Sequence, residues 1–196
     1  MNLDELKKNL ESKNYTCNIF DKSEDAIKYL SDKISNTSVG FGGSITLEQI
    51  GLYDALKQNN EVHWHWNGAD KVERDLARTS KVYISSVNGI SMDGQIVNID
   101  GTGNRVSSIQ YGHELIVFVL GVNKIEENVD KAIERARNIA APLNAKRLNK
   151  KTPCVIDNMC HDCKSPDRIC CGLSLLYKAP KGAKYEVVII NENLGY

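Results

Sequence analysis

The chain has no excess of charge of either sign: 25 Lys and Arg stand against 25 Asp and Glu in 196 residues. No net field draws it toward nucleic acid or anionic lipid, which argues against either as its main partner. Long apolar runs are also missing. LIVFVLGV, residues 115–122, has the length of a strand, far short of the roughly 18 residues that a membrane span requires. The opening MNLDELKKNLESKNY lacks the apolar stretch and small-residue cleavage site of a secretory leader, so a cytoplasmic location is expected. Internal repeats, low-complexity linkers and a marked domain boundary are absent too. One domain spanning 1–196 is the expectation, a size that allows a sizeable core.

What is present is an alternation of helical and strand patterns. Leu3, Leu6 and Leu10 suit an amphipathic helix, and NYTCNIF a short strand. Ser23 caps a segment with Ala26, Ile27, Leu30 and Ile34 on one face. TSVGFGG is a strand running into glycines, TLEQIGLYDALKQ and DKVERDLARTS are helical, and KVYISSVNGI is a strand stopping at Gly89. HELIVFVLGV reads as the centre of a parallel sheet. VDKAIERARNIAAP is a helix ended by Pro142, and KYEVVIINENLGY supplies the last strand. The class is therefore α/β, a mostly parallel sheet with helices on both faces. The stretch 144–180 reads as irregular, and a loop of that length is functional or held by something other than a core.

Two glycine-rich segments interrupt this pattern. GFGGSITLEQIG places Gly42, Gly43, Ser44 and Thr46 between a strand and a helix. Glycines allow close backbone approach, and the hydroxyls can cap the helix or hold a phosphate or carboxylate oxygen. The plain alternative is a strand-to-helix turn; the segment matches neither a P-loop nor GxGxxG. In SSVNGISMDGQIVNIDGTGNRVSSIQYG, Asp93-Gly94 reads as a hairpin turn. The second turn, IDGTGNRV, is not explained that way. Arg105 can fork onto a carboxylate or phosphate, Asp100 or Asp93 can move a proton, and Asn88 and Asn104 can bind a small polar ligand.

PCVIDNMCHDCKSPDRICC holds five of the six cysteines. Cys154, Cys160, Cys163 and Cys170 are spaced C-x5-C-x2-C-x6-C, with Cys171 and His161 as further donors. In a reducing cytosol such clusters serve as ligands or redox groups. Thiolates two residues apart can grip one metal, and metal binding can order a loop that buries little apolar surface. An iron–sulfur cluster, zinc, a reversible disulfide between Cys160 and Cys163, and plain buried thiols all remain open. Among weaker features, HWHW (63–66) reads as a half-buried strand or lid, His113 as a surface or strand-start residue, and Cys17 as core. Lys124 follows the central strand where open α/β sheets place ligands, although a lone lysine there is ordinarily solvated.

The order of GFGGSITLEQIGLYDAL, NGISMDGQIVNIDGTGNRVSSIQYG, VFVLGVNKI, AIERARNIAAPLNAKRL, the cysteine segment and the closing NLGY resembles the LUD domain, the lactate-utilisation protein family. That resemblance implies a fold like the ribose-5-phosphate isomerase and CoA-transferase superfamily. It sets Gly42, Gly43, Ser44 and Thr46 where such isomerases bind phosphosugar, and SMDGQIVNIDGTGNR where their acidic catalytic residues lie. It further implies a link to oxidation of L-lactate to pyruvate alongside iron–sulfur partner subunits, with the cysteine run marking a subclass.

Three functions follow as alternatives. The chain is a subunit or accessory of lactate oxidation that binds a small anionic hydroxy acid or sugar phosphate and carries a 4Fe–4S cluster, with zinc as the other metal. Or it is a stand-alone isomerase or lyase in which three cysteines leave one iron open as a Lewis acid. Or it is a non-catalytic, metal-stabilised binding or sensor module. Assembly as a homo-oligomer is compatible with each.

Overall fold

The computed structural model describes residues 2–68 and 70–196. In chain order the elements are α1 (Leu3–Ser12), β1 (Thr16–Phe20), α2 (Ser23–Lys33), β2 (Ser38–Phe41), α3 (Ile45–Gln49), α4 (Leu52–Lys57), β3 (Glu61–His63), α5 (Asp70–Thr79), β4 (Val82–Ser85), β5 (Gly89–Ser91), β6 (Ile96–Asp100), α6 (Asn104–Ser108), β7 (Leu115–Gly121), β8 (Ile125–Glu126), α7 (Val129–Arg135), α8 (Ala141–Arg147), α9 (Cys154–Asp157), β9 (Gly172–Leu176) and β10 (Lys184–Ile190).

The strands form two sheets. A six-stranded sheet runs β1-β10-β7-β4-β2-β3, and every pairing in it is parallel. Its central strand β7 alternates: Ile116, Phe118 and Leu120 pack into one core, Val117 and Val119 into the other. β10 does the same with Tyr185, Val187 and Ile189 against Val188 and Ile190. That alternation is how a parallel strand buries both faces. The second sheet, β8-β5-β6-β9, is mixed and has four strands. Ile90, Ile96 and Leu176 turn its inner face into the core that α1 also fills with Leu6 and Leu10. Val97 and Ile99 turn the outer face onto Ala132 of α7. Among the described residues, no helix is long and apolar enough to cross a membrane.

Several expected boundaries shift, each for a local reason. TLEQIGLYDALKQ forms two helices because Gly51 takes a left-handed conformation (φ 69°) between them. KVYISSVNGI forms two strands, since the chain leaves the large sheet after Ser85 and enters the small one at Gly89. HWHW is a strand only to His63. Pro142 does not end its helix. It occupies the first turn of α8, where the missing N–H is tolerated, and Ala136–Ala140 just before it widen into a π-helical turn. The stretch 144–180 is only partly irregular: it contains the end of α8, α9 and the strand β9, paired antiparallel to β6 from Gly172 to Leu176.

The small sheet sits so close to α7 that a Cβ added at Gly89 would lie 2.7 Å from the Ala132 carbonyl oxygen. Gly89→Ala is therefore expected to destabilise by about 1–3 kcal/mol, the usual cost of overpacking, measured as a lower urea midpoint. An unchanged midpoint would mean that the two elements can separate freely.

Candidate functional site

Parallel strands release their chains at the same edge, so the loops after β2, β3, β4 and β7 meet above the large sheet. Together with the turn after β6, the helical segment 136–148 and residues 166–169, they enclose a cavity of about 580 Å³, within the ordinary range for small-molecule sites. The cavity brings together Gly43, Ser44, Asn88, Asp100, Asn104, Arg105 and Lys124 from the sequence-derived set.

Each of these has a definable task. Gly43 lets the first loop approach His65 and Trp66, since a Cβ there would lie 3.2 Å from ring atoms of both. Gly42 sits just behind, where a Cβ would be 2.7 Å from Ser85 Oγ and 2.9 Å from the Tyr83 hydroxyl. Ser44 caps α3 by accepting from the Leu47 N–H at 3.3 Å. Asn88 Oδ1 accepts from the Ile99 N–H at 2.8 Å and so clips β5 to β6. Asp100 is 6% exposed, and its Oδ2 accepts from the backbone N–H groups of Arg105 (2.8 Å) and Val106 (3.3 Å). Arg105 donates to the Ile99 carbonyl, with its Nε 3.9 Å from Asp100. Asn104 accepts from Thr102 Oγ1 at 2.8 Å.

Behind the cavity wall lies Thr46, which Lys124 reaches from the lining. Thr46 is fully buried, and Lys124 is 4% exposed rather than solvated. Lys124 Nζ donates to Thr46 Oγ1 at 2.8 Å and to Ser86 Oγ at 3.0 Å. No carboxylate pairs with it among the described residues. Burial, followed by the charges of Arg135 and Arg105, lowers its pKa to about 7. His65 is likewise pushed down by burial and by Arg74, so the imidazole that faces the cavity is neutral at pH 7.

Asp93 is not brought to this place. It is exposed in the turn between β5 and β6, at the opposite end of β6 from Asp100, and its neighbour Gly94 packs on Leu10. His113 is 5% exposed rather than superficial, donates from Nδ1 to the Ser80 carbonyl (2.6 Å) and stacks on Tyr83. Cys17 is a core residue, 2% exposed. Sequence reasoning missed Arg74, Ser86, Arg147, Lys150 and Arg168, all of which line the cavity. The Arg147 guanidinium lies 4.8 Å over the Trp66 ring.

The cavity is electropositive. Arg74, Arg105, Lys124, Arg147, Lys150 and Arg168 face only Asp70, Asp100 and Asp167. Each carboxylate is already engaged: Asp70 by Arg74 at 2.9 Å, a charge contact rather than an aligned hydrogen bond, Asp100 by the backbone, and Asp167 by the Lys151 N–H. The arrangement suits an anion, with Asp100 Oδ1 and the neutral His65 left to handle protons.

The cysteine segment closes one wall. Arg168 lines the cavity and braces the segment, donating to the carbonyls of Cys163 (2.8 Å) and Cys170 (3.0 Å) and to Asp162 (2.9 Å). The Cys171 N–H donates to the Asp100 carbonyl at 2.9 Å, which ties the segment to β6. Burial raises the Cys170 pKa, Arg168 lowers it, and Cys160 and Cys163 raise it again, so these three thiols share one neighbourhood. Arg137 approaches Cys160 Sγ at 3.5 Å. Cys154 is paired with Thr152 Oγ1 at 3.3 Å, Cys171 with the Arg168 carbonyl, and His161 with Asp157 at 2.7 Å. All six cysteines are free thiols, and no three His, Cys, Asp or Glu side chains stand at coordinating spacing among the described residues. By chemistry the donor set of Cys160, Cys163 and Cys170, with two guanidiniums to balance thiolate charge, suits a sulfur-ligated iron centre.

A family model, the LUD domain, matches residues 3–190. No curated protein matches the chain. A crystal structure of a DUF162 family protein from Deinococcus radiodurans is similar in fold, with a TM-score of 0.56 at 10% identity, covering 96% of this chain and 95% of that one.

Lys124 gives a stability test. Below pH 7 its ammonium is charged in both the folded and the unfolded chain, and the full desolvation penalty destabilises the fold. From pH 7 to 10.5 the folded form sheds the proton first, and the penalty fades as pH rises. Lys124→Met, which leaves Thr46 and Ser86 to bond each other (3.4 Å), is therefore expected to melt several degrees above the parent at pH 6. That advantage should shrink steadily toward pH 9.5. A difference that stays flat across this range would contradict a depressed Lys124 pKa.

Proposed function

The chain belongs to the LUD domain family, which is associated with lactate utilisation, and on that premise we propose that its cavity binds a small anionic hydroxy or oxo acid and acts on it. The observation that carries the reading is the charge imbalance of the cavity wall, five basic side chains besides the titratable Lys124 against three engaged acidic ones. Arg105 and Arg147 offer planar forks for a carboxylate, Ser44 offers a hydroxyl, and Asp100 Oδ1 or His65 exchanges a proton with the ligand hydroxyl. Titration calorimetry with L-lactate, pyruvate and ribose 5-phosphate tests this and separates hydroxy acids from sugar phosphates. Loss of one charged hydrogen bond is worth roughly 1.5–3 kcal/mol, so Arg147→Met, at an exposed position that leaves the core intact, should weaken the bound acid by about 10-fold or more. Absence of any heat or thermal shift across the panel would end the proposal.

The second part of the reading is that Cys160, Cys163 and Cys170 hold an iron–sulfur cluster beside the cavity. Cys160 and Cys163 both act electrostatically on Cys170, whereas Cys154 is paired with Thr152, and this favours three protein ligands over four. A three-ligand cluster would supply an open iron able to polarise a ligand hydroxyl or carbonyl; a four-ligand one would suit electron relay to iron–sulfur partners in lactate oxidation. Arg168 and Arg137 would offset the thiolate charge, and Arg168 would report it to the cavity. Anaerobic purification with iron, sulfide and zinc analysis is the test. Cys163→Ser should lose the visible absorbance while Cys154→Ser retains it, and equal loss in both would make Cys154 the fourth ligand. Zinc without sulfide would replace the cluster by a zinc site.

A further inference from the structure

Lys124 is more than one of the cations. It lines the cavity while 4% exposed, and its Nζ donates two hydrogen bonds, to Thr46 Oγ1 and Ser86 Oγ, at 2.8 and 3.0 Å. Thr46 is held in turn by donating to the Leu194 carbonyl at 3.2 Å, so the receiving hydroxyls are fixed. In a neutral amine, two N–H bonds directed at two hydroxyls and one bond to Cε leave a single tetrahedral direction, the lone pair. Gly195 keeps that neighbourhood open, because a Cβ there would lie 3.2 Å from Nζ. The charged groups acting on the amine are Arg135 and Arg105, both cations, and among the described residues no carboxylate pairs with it. A lysine desolvated beside other cations is the usual setting for an amine nucleophile.

We propose that Lys124 is a covalent catalytic residue that forms an imine with the carbonyl carbon of a 2-oxo acid whose carboxylate is held by the arginines of the same cavity. The amine lone pair adds to the C=O bond to give a carbinolamine, which loses its oxygen as water. One amine and one carbonyl yield one imine and one water, with no oxidant or reductant required. Thr46 and Ser86 accept hydrogen bonds from the amine and relay its two protons to the carbonyl oxygen, which leaves as water. Once protonated, the imine withdraws electrons from the neighbouring carbon, which permits proton exchange or carbon–carbon cleavage there. Solvation distinguishes the group from its competitors: a surface lysine is almost wholly protonated at pH 7, whereas the burial and cationic neighbours described above favour the free amine here.

The inference rests on the anion-binding reading, and one experiment separates the two. The metal-free or metal-loaded protein, as isolated, is incubated with pyruvate and sodium cyanoborohydride at pH 7, then analysed by intact mass and peptide mapping. A single reduced adduct on Lys124, formed at least 100-fold faster than on any other lysine and suppressed by excess propionate, is expected. Lys124→Arg should abolish it, and the site mapping in the parent protein does not depend on that variant folding. Calorimetry with propionate runs in parallel. Propionate binding without a Lys124 adduct overturns the imine and leaves the anion site standing. Absence of both overturns the two together, and adducts spread evenly over many lysines overturn the imine.

Discussion

Six strands running the same way must all release their chains at one edge of the sheet, and that constraint organises everything above it. The turn glycines, the Ser86–Asn88 crossover, the Lys124 turn and the His65–Trp66 pair are brought together because β2, β3, β4 and β7 end side by side. The backbone groups left unpaired at that edge need partners, and the loops supply them: Asn123 Oδ1 accepts from Leu194, and Gln49 accepts from Gly195. A cavity in such a place arises from topology before it arises from any particular side chain.

The second sheet converts that open edge into an enclosed one. It buries one face against the large sheet and the other against α7, and its strand β6 ends at Asp100. The Asp100 backbone carbonyl receives Cys171 while its carboxylate caps α6. One residue therefore couples the glycine turn, the cysteine segment and the cavity wall. A displacement of the cysteine segment is passed through that hydrogen bond to the strand that positions the Asp100 carboxylate.

Much of this was legible in the sequence where the signal is local. The alternation in β7 and the amphipathic spacing of α1 and α2 need only neighbouring residues to be recognised. The change of sheet within KVYISSVNGI is different, because Ser85–Asn88 carries no break in pattern and only long-range pairing assigns the two halves. Lys124 has no local mark of burial; its environment comes from Thr46, 78 positions away. Cysteine spacing measures distance along the chain, not side-chain direction, which is why Cys154 looked equivalent to Cys160 and yet faces Thr152. Asp93 and Asp100 are each followed by glycine, and only the direction of β6 separates the end that meets the cavity from the end that does not.

The π-helical turn at Ala136–Ala140 places one residue more in its loop than an α-helical turn holds. In an α-helix each residue advances the face by about 100°, so the surplus residue resets the phase between α7 and α8. It lets α7 show Ala132 to the small sheet while α8 shows Asn144 and Arg147 to the cavity. The helix works as a phase adapter between two clients. Residue count through this segment therefore matters more than residue type, and a single deletion within 137–139 would turn Arg147 away from the cavity without removing any side chain that lines it.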